Sequence, residues 1–559
     1  MKKSLVPDNL NAIWKIGPSV SDFDQILPVL LRSRSLGVNS LEDLNSPIKL
    51  NAYLVDFPRD FLQSLKDASS LILQAMQDQR PIIILGDYDA DGVCATSVLA
   101  LALKRDLNYS HVFEFIPNRF THGYGMSQES IKDALALLPD SLAEKFVLFV
   151  TVDSGITSVE EAGFLKSLGH NLIITDHHQK LDVLPDADVV VWSDKIVGAA
   201  IAWLLTKVLG AKTRSSIVFP AIATVTDVYP LADINRALVK AGLDVLNTEP
   251  PVGWKELLQV SNLTPGSIEA YSFGWVLGPR INAAGRLENA STAVRLFLSS
   301  NSAERVSLAQ RLDTLNKTRQ DETLRMFELL HTGVDSSRRF ILEAREDFHE
   351  GLIGLVAGRL VRSFHKPSIV VSLNGTFGKG SVRSIQGINI IEILRRHSDL
   401  FEALGGHPMA AGFTIRKEKL LELENRLQQE FGSLPLELFN PVVVADLEMP
   451  LSLVGMPLLD LLKSLKPFGT GNPEPRFFAK DVTLVNKQTV GRTQDHVSLS
   501  LMSPNLAKPI RGIAFKMAPL FEPFGLGDKV DLIFTVRPNE YRGRVSPNLV
   551  VEAVRPAQD

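Results

Sequence analysis

Short apolar runs recur in the first half of the chain, and each ends at a polar turn. Ile82–Leu85 runs through Gly86 into an acidic loop, Phe146–Val152 ends at Asp153-Ser154-Gly155, and Asn171–Thr175 ends at Asp176-His177-His178. Ala187–Trp192 is a fourth such run. Helix-length stretches lie between them: the segment before Gln77, the Ala/Leu-rich VCATSVLALALK after Gly92, a stretch from Ser158, and Val197–Leu209. Strands alternating with helices predict an α/β domain with a parallel sheet. Residues 291–337 are poor in glycine and rich in charge, which predicts a long solvated helix between domains. A second, smaller α/β alternation follows, with strand Phe340–Glu343, helix Ile353–Phe364, strand Ser368–Leu373 and a glycine-rich loop at Gly378–Ser384. Beyond residue 441 the runs HVSLSLM, RGIAF, DKVDLIFTV and NLVVEAV alternate between Gly, Pro and Asn, predicting a small β-barrel or sandwich.

Composition narrows the class. With 559 residues, 45% hydrophobic and 22% charged, the chain is long enough for three or four globular domains. A net charge of −4 excludes a protein that grips nucleic acid by overall charge. The charge is unevenly spread: residues 338–420 carry +5 and 471–559 carry +3, against −8 for 1–337 and −4 for 421–470. An acidic first half suits a carboxylate metal site, and the later modules suit a polyanion surface. One cysteine, Cys94, excludes a disulfide framework or a cysteine zinc ribbon and fits a reducing cytoplasm. Pro7, Asp8 and Asn11 interrupt any signal-peptide core, and no apolar stretch is long enough to span a membrane.

The chemistry concentrates in Asp87-Tyr88-Asp89-Ala90-Asp91-Gly92. Three carboxylates at a spacing of two repel one another unless a cation sits among them. An EF-hand shares the D-x-D-x-D-G start but needs Glu at its twelfth position, where this chain has Val98. Asp153, Asp176, His177 and His178 fall at the ends of later runs, and Asp227 follows the apolar run Ala221–Val225. In an open parallel sheet the C-terminal strand ends converge on one crevice. Singly, each Asp is more often a helix cap or loop residue; all of them at matching ends point to a pair of Mn²⁺ or Mg²⁺ ions.

DYDADG, VDSG, DHH and TDVYPL, in that order, resemble the four motifs of the DHH phosphoesterase superfamily. GKGSVRS and GGHPMAAGF resemble its companion DHHA1 domain. LGPRINAAGRLENA, FHEGLIGLVAGRL and PFGTGNPEP narrow the resemblance to the RecJ family of single-strand-specific 5′→3′ exonucleases. The resemblance implies an N-terminal segment 1–45, a DHH catalytic domain 46–290, a helical connector 291–337, a DHHA1 domain 338–435 and an OB-like barrel 441–559. It implies that Asp87, Asp89, Asp91, Asp153, His177 and Asp227 ligate metal and act in catalysis, that His178 contacts metal or scissile phosphate, and that Asp176 orients the histidines. Arg119, Arg280, Asn282, Arg286, Ser381, Arg383, Gly406 and His407 are implied substrate contacts. For Arg286 the alternative is an ion pair with Glu288. In the barrel, Phe515, Phe534 and Tyr541 are candidates for base stacking, and Arg492, Arg511 and Arg542 for phosphate contact. After DHH the chain has a shorter loop than the family usually has, reading VVWSD and then GAAIA.

The function expected on these grounds is Mn²⁺- or Mg²⁺-dependent release of 5′-mononucleotides from single-stranded DNA in cytoplasmic recombination and repair. Single-strand-binding protein and a helicase are the expected partners, with no membrane involved. Two rivals remain at this level: a DHH phosphoesterase acting on nanoRNA or cyclic dinucleotides, and a non-catalytic single-strand-binding replication scaffold.

Overall fold

The computed structural model describes residues 12–34, 36, 40–45, 50, 54–123, 125–335, 337–504 and 506–558. Pro7, Asp8 and Asn11, on which the signal-peptide argument rests, lie outside them, as does part of the expected N-terminal segment. No helix among the described residues is long and apolar enough to cross a membrane. The chain divides into two compact units, one of Arg34–Arg319 with Pro467–Pro473, the other of the remaining segments up to Ser33, Gln320–Lys466 and Glu474–Asp559.

The first unit is built on five parallel strands in the spatial order Val112–Phe115, Ile82–Gly86, Leu148–Val152, Asn171–Asp176, Val189–Trp192. The two central strands are buried along their whole length. Their side chains alternate between two cores: Ile82 and Ile84 pack into one, Ile83 and Leu85 into the other, as a sheet covered on both faces requires. From Ile82–Gly86 the chain moves outward to Val112–Phe115, then returns to the other side at Leu148–Val152. That reversal places a crevice at the C-terminal ends of the two central strands, where open α/β sheets bind ligands. Helix Ala90–Leu101 starts in the crevice and is buried from Ala90 to Ala100, which accounts for its run of small and apolar residues.

Two sequence expectations are corrected. The run before Asp227 is not a strand: Val218–Thr226 is an α-helix and Asp227 its C-cap, because a short apolar run does not distinguish a strand from a buried helix. Residues 291–337 are not one solvated helix. Ser291–Leu298 and Ser302–His331 are separate helices, and Ala293, Leu296, Phe297, Ala309, Leu312 and Met326 are buried. The long helix carries the boundary between units, between Arg319 and Gln320.

The second unit holds a mixed sheet in the order Phe401–His407, Ala410–Arg416, Phe377–Arg383, Ser368–Asn374, Ile341–Arg345. Its only parallel pair, Ile341–Arg345 with Ser368–Asn374, is joined through helix Ile353–Phe364. The C-terminal strands Phe477–Val490, His496–Met502, Ile510–Ala514, Arg544–Pro556 and Lys529–Tyr541 pair in that order, and the last closes on the first as a barrel. Strand Ile13–Ile16 pairs in parallel with Val442–Ala445 in the same unit. Phe534 is fully buried against Phe477 and is therefore core, not a stacking platform. Phe515 and Tyr541 are exposed, and the Arg542 guanidinium lies over the Tyr541 ring.

In the first unit Trp254, Phe219 and Phe297 form an aromatic trio with centroids 4.4 to 5.2 Å apart. Trp254→Ala empties its centre, and urea unfolding should show a loss of about 3–5 kcal/mol in that unit's transition.

Candidate metal centre and phosphate-binding residues

The acidic loop is folded by its own backbone. Asp89 caps helix Ala90–Leu101, its Oδ1 accepting the N–H groups of Asp91 at 2.9 Å and Gly92 at 3.1 Å. The Asp91 carboxylate accepts the N–H groups of Gly198 at 2.8 Å and Ala199 at 2.7 Å, which open helix Gly198–Val208. Only glycine fits at 198, because a Cβ there would lie 2.6 Å from Asp153 Oδ1. Asp153 adopts φ 61 and Val228, beside Asp227, φ 62. For a β-branched valine that conformation is strained, and such strain concentrates at functional sites.

Asp176 organises the histidines. Its Oδ1 accepts the N–H groups of His177 at 2.7 Å and His178 at 3.1 Å and lies 2.7 Å from His178 Nδ1, while Oδ2 accepts the Ile156 N–H at 2.9 Å. His177 Nε2 lies 2.9 Å from Asp153, 3.5 Å from Asp91 and 3.9 Å from Asp227. Its Nδ1 faces the Tyr229 hydroxyl at 2.6 Å. Two triads, Asp91–His177–Asp227 and Asp87–Asp89–Asp153, each bring one donor atom per residue within 4.8 Å of the others. Asp153, Asp176, His177 and His178 form a third group by the same measure.

The electrostatics call for cations. Burial and then the Asp89 charge push Asp87 well above the usual carboxylate range. Burial and then Asp91 do the same to Asp153. Asp91 is raised to about 7 by burial and Asp89, and Asp227 to about 8 by burial and Asp91. His177 is lowered to about 4 by burial and by His178, so its imidazole is neutral, the form that ligates metal. Burial also disfavours His178 cation, but the Asp176 hydrogen bond and charge outweigh it and raise the group to about 9. Asp176 in turn is held below its ordinary value, the His178 bond overcoming its burial. Asp87 Oδ1 is buried without a hydrogen-bond partner. An orphaned carboxylate oxygen, crowded acids and a neutral imidazole are a donor set that fits Mn²⁺ or Mg²⁺.

The proposed substrate residues divide between the units. Arg119 lies over the Tyr88 ring, 4.7 Å from its centroid, and Tyr88 is pushed up to about 12 by burial. Gly285 lets the acidic loop approach, since a Cβ there would sit 2.2 Å from the Tyr88 carbonyl oxygen. Asn282 turns toward the same loop, its Oδ1 accepting the Ala90 N–H at 2.7 Å. Arg280 is held by Asp313 at 2.9 Å and by the Val276 carbonyl at 2.7 Å. Glu288, the alternative partner for Arg286, is paired with Arg311. In the second unit His407 and Arg383 flank Ala410 in one register row, beside a row of Gly406, Ala411 and Val382. Arg383 donates to Ser381 Oγ at 3.2 Å and to the Val382 carbonyl at 2.8 Å, and its burial lowers the guanidinium pKa.

Two residues with a place in this site escaped sequence reasoning. Tyr229 sits inside the fourth motif, but its contact with His177 depends on how helix Val218–Thr226 ends. Trp192 donates its indole N–H to the His178 carbonyl at 2.7 Å, and Lys180 lies 3.8 Å above its ring. The shortened loop was the signal there, without the side chain that uses it.

A buried carboxylate–imidazole centre at the switch point of a parallel sheet defines a DHH-type phosphoesterase. Family models match accordingly: the DHH family N-terminal domain at 81–227, the DHHA1 domain at 337–433 and the RecJ OB domain at 445–553. The single-stranded-DNA-specific exonuclease RecJ of Salmonella typhimurium is 31% identical over 95% of this chain and 96% of its own. That of Bacillus subtilis is 33% identical over 88% of this chain, which spans 63% of that longer relative. The crystal structure of Thermus thermophilus RecJ in complex with Mn²⁺ matches with a TM-score of 0.80 and 27% identity over 98% of this chain and 80% of that one. The Mg²⁺ complex of the same protein matches with a TM-score of 0.73 and 26% identity over 98% and 79%. The chain belongs to the RecJ family.

Carboxyl groups with raised folded pKa values bind more protons folded than unfolded. Their penalty is absent below the ordinary carboxylate value, grows as pH rises above it, and is complete once pH passes the folded value. The metal-free protein should therefore lose thermal stability progressively from about pH 4, the ordinary carboxylate value, until pH passes the folded values of Asp91 and Asp227, about 7 and about 8. Scanning calorimetry should find a smaller loss in Asp227→Asn, and saturating Mn²⁺ should raise Tm and flatten the dependence.

Proposed function

We infer that this chain hydrolyses phosphodiester bonds of single-stranded DNA from a 5′ end, releasing 5′-mononucleotides. The observation that carries the reading is the buried Asp/His cluster at the strand ends, in a chain of the RecJ family. The chain is a metal-dependent exonuclease, and its metals are Mn²⁺ or Mg²⁺. Asp87, Asp89 and Asp153 would hold one ion, and Asp91, His177 and Asp227 a second. Ions bound there would activate water and neutralise charge on the phosphoryl oxygens.

The protein's own groups supply the remainder. Asp176 keeps the His178 imidazole protonated, so that a cation faces the scissile phosphate. Tyr229 fixes the His177 ring with Nε2 toward the carboxylates. Arg119, steadied on Tyr88, and Arg286 contact backbone phosphates near the 5′ end; Ser381, Arg383, Gly406 and His407 are the second unit's own candidate strand contacts. Asn282 acts on the substrate through the loop that it holds. Phe515 and Tyr541 offer exposed rings to bases farther along. The barrel and the RecJ match set aside the small-substrate rival, and the complete acid–imidazole set argues against a non-catalytic scaffold. The setting that fits is DNA recombination and repair in the cytoplasm, with a helicase opening duplex and single-strand-binding protein on the product strand.

Asparagine tolerates the left-handed backbone of Asp153 better than alanine, so Asp153→Asn is the cleaner test. With Mn²⁺ and a 5′-phosphorylated oligonucleotide, it should cut turnover by a factor on the order of 10³ or more. Melting temperature and most of the affinity for single-stranded DNA should remain, measured by fluorescence anisotropy. Normal turnover in this variant would contradict the site assignment.

A further inference from the structure

The loop that carries Arg119 is tied by an unusual side chain. The Asn118 N–H donates to His122 Nδ1 at 2.9 Å, and His122 Nε2 lies 3.0 Å from Asp133 Oδ2. Asp133 belongs to helix Gln128–Leu135, so the imidazole bridges the loop to a neighbouring element. Three more bonds close around it: Asn118 Oδ1 accepts the Phe120 N–H at 2.9 Å, and the Asn118 carbonyl accepts the N–H groups of Thr121 at 3.2 Å and His122 at 2.8 Å. The ring packs beside Phe115, at the end of the strand leading into the loop, with centroids 5.8 Å apart. Its side chain is 11% exposed, whereas that of Asp133 is 62% exposed.

The bonding fixes the tautomer. A backbone N–H can only donate, so Nδ1 is the acceptor, and the proton of the neutral ring lies on Nε2, donated to Asp133. Arg119 lies between the two residues so joined, with its guanidinium over Tyr88 of the acidic loop. Arginine loses considerable rotamer and backbone freedom when it is fixed for phosphate binding. A loop already held at both flanks meets that cost before the substrate arrives.

We propose that His122 is a positioning residue for substrate binding: through Asn118 and Asp133 it presets the loop that presents Arg119 to a DNA phosphate. The imidazole works through its bonds to Asn118 and Asp133. It acts on affinity, and turnover of bound substrate does not depend on it. The proposal rests on the reading of Arg119 as a phosphate contact.

The test uses the full-length protein with Mn²⁺ and a 5′-phosphorylated single-stranded oligonucleotide. Variants are His122→Phe, which keeps a ring beside Phe115 but has no acceptor, and His122→Asn, whose Oδ1 can replace Nδ1 as acceptor for the Asn118 N–H. Arg119→Ala and the double variant Arg119→Ala/His122→Phe complete the cycle. His122→Phe should raise KM, and Kd measured with Ca²⁺ in place of Mn²⁺, about tenfold, equivalent to about 1.4 kcal/mol. Its kcat should stay within about twofold, and His122→Asn should recover most of the affinity. In the Arg119→Ala background His122→Phe should add almost nothing.

Several results would overturn the proposal: an unchanged KM in His122→Phe, a fall confined to kcat, failure of His122→Asn to recover affinity, or additive effects in the double variant. If Arg119→Ala leaves KM unchanged, the phosphate-contact reading fails, and any effect of His122→Phe then arises elsewhere and counts against the proposal. Should His122→Phe lower Tm sharply, His122→Asn alone decides: near-normal KM supports the acceptor role, and a raised KM with normal Tm refutes it.

Discussion

Burying several carboxylates together is the constraint on which the rest of this molecule depends. Desolvation and mutual repulsion raise Asp87, Asp91, Asp153 and Asp227, and the fold offsets only part of that cost. Asp91 is set on the opening N–H groups of helix Gly198–Val208, Asp89 caps its own helix, and Asp176 is matched to the His178 imidazolium. Asp87 Oδ1 receives no such compensation. The residual charge is what divalent cations relieve, so stability and chemistry share one source. The parallel sheet makes the arrangement possible by ending Ile82–Gly86, Leu148–Val152 and Asn171–Asp176 side by side.

A site this acidic would repel DNA unless positive groups surround it. The unit that holds it carries separately held guanidinium groups, Arg119 over Tyr88 and Arg280 on Asp313. A net charge of −4 is compatible with this arrangement, because the basic excess of +5 and +3 lies in the later modules. On the proposed function, recognition rests on placed contacts that bulk charge could not provide, and placement depends on loop architecture.

Much of the catalytic unit was legible because buried parallel strands read as uninterrupted apolar runs, and their polar ends read as motifs. DYDADG, VDSG and DHH stand where strands end. Asp227 was found by motif while its element was misread, since Val218–Thr226 is as apolar as a strand. The long helix looked solvated because its charged residues hide a buried stripe through Ala309 and Leu312. Phe534 resembled a stacking platform only because an aromatic's facing cannot be read before the barrel's register is known. Tyr229, Trp192 and His122 were not legible at all as partners. Each makes a contact that no periodicity or spacing announces.

Anomalous diffraction from crystals grown with Mn²⁺ tests the central claim most directly, because it locates the cations that the buried charge demands. The account predicts two peaks, one among Asp87, Asp89 and Asp153 and the other among Asp91, His177 and Asp227. Mn²⁺ bound only outside this cluster, with the carboxylates left to share protons, would contradict it.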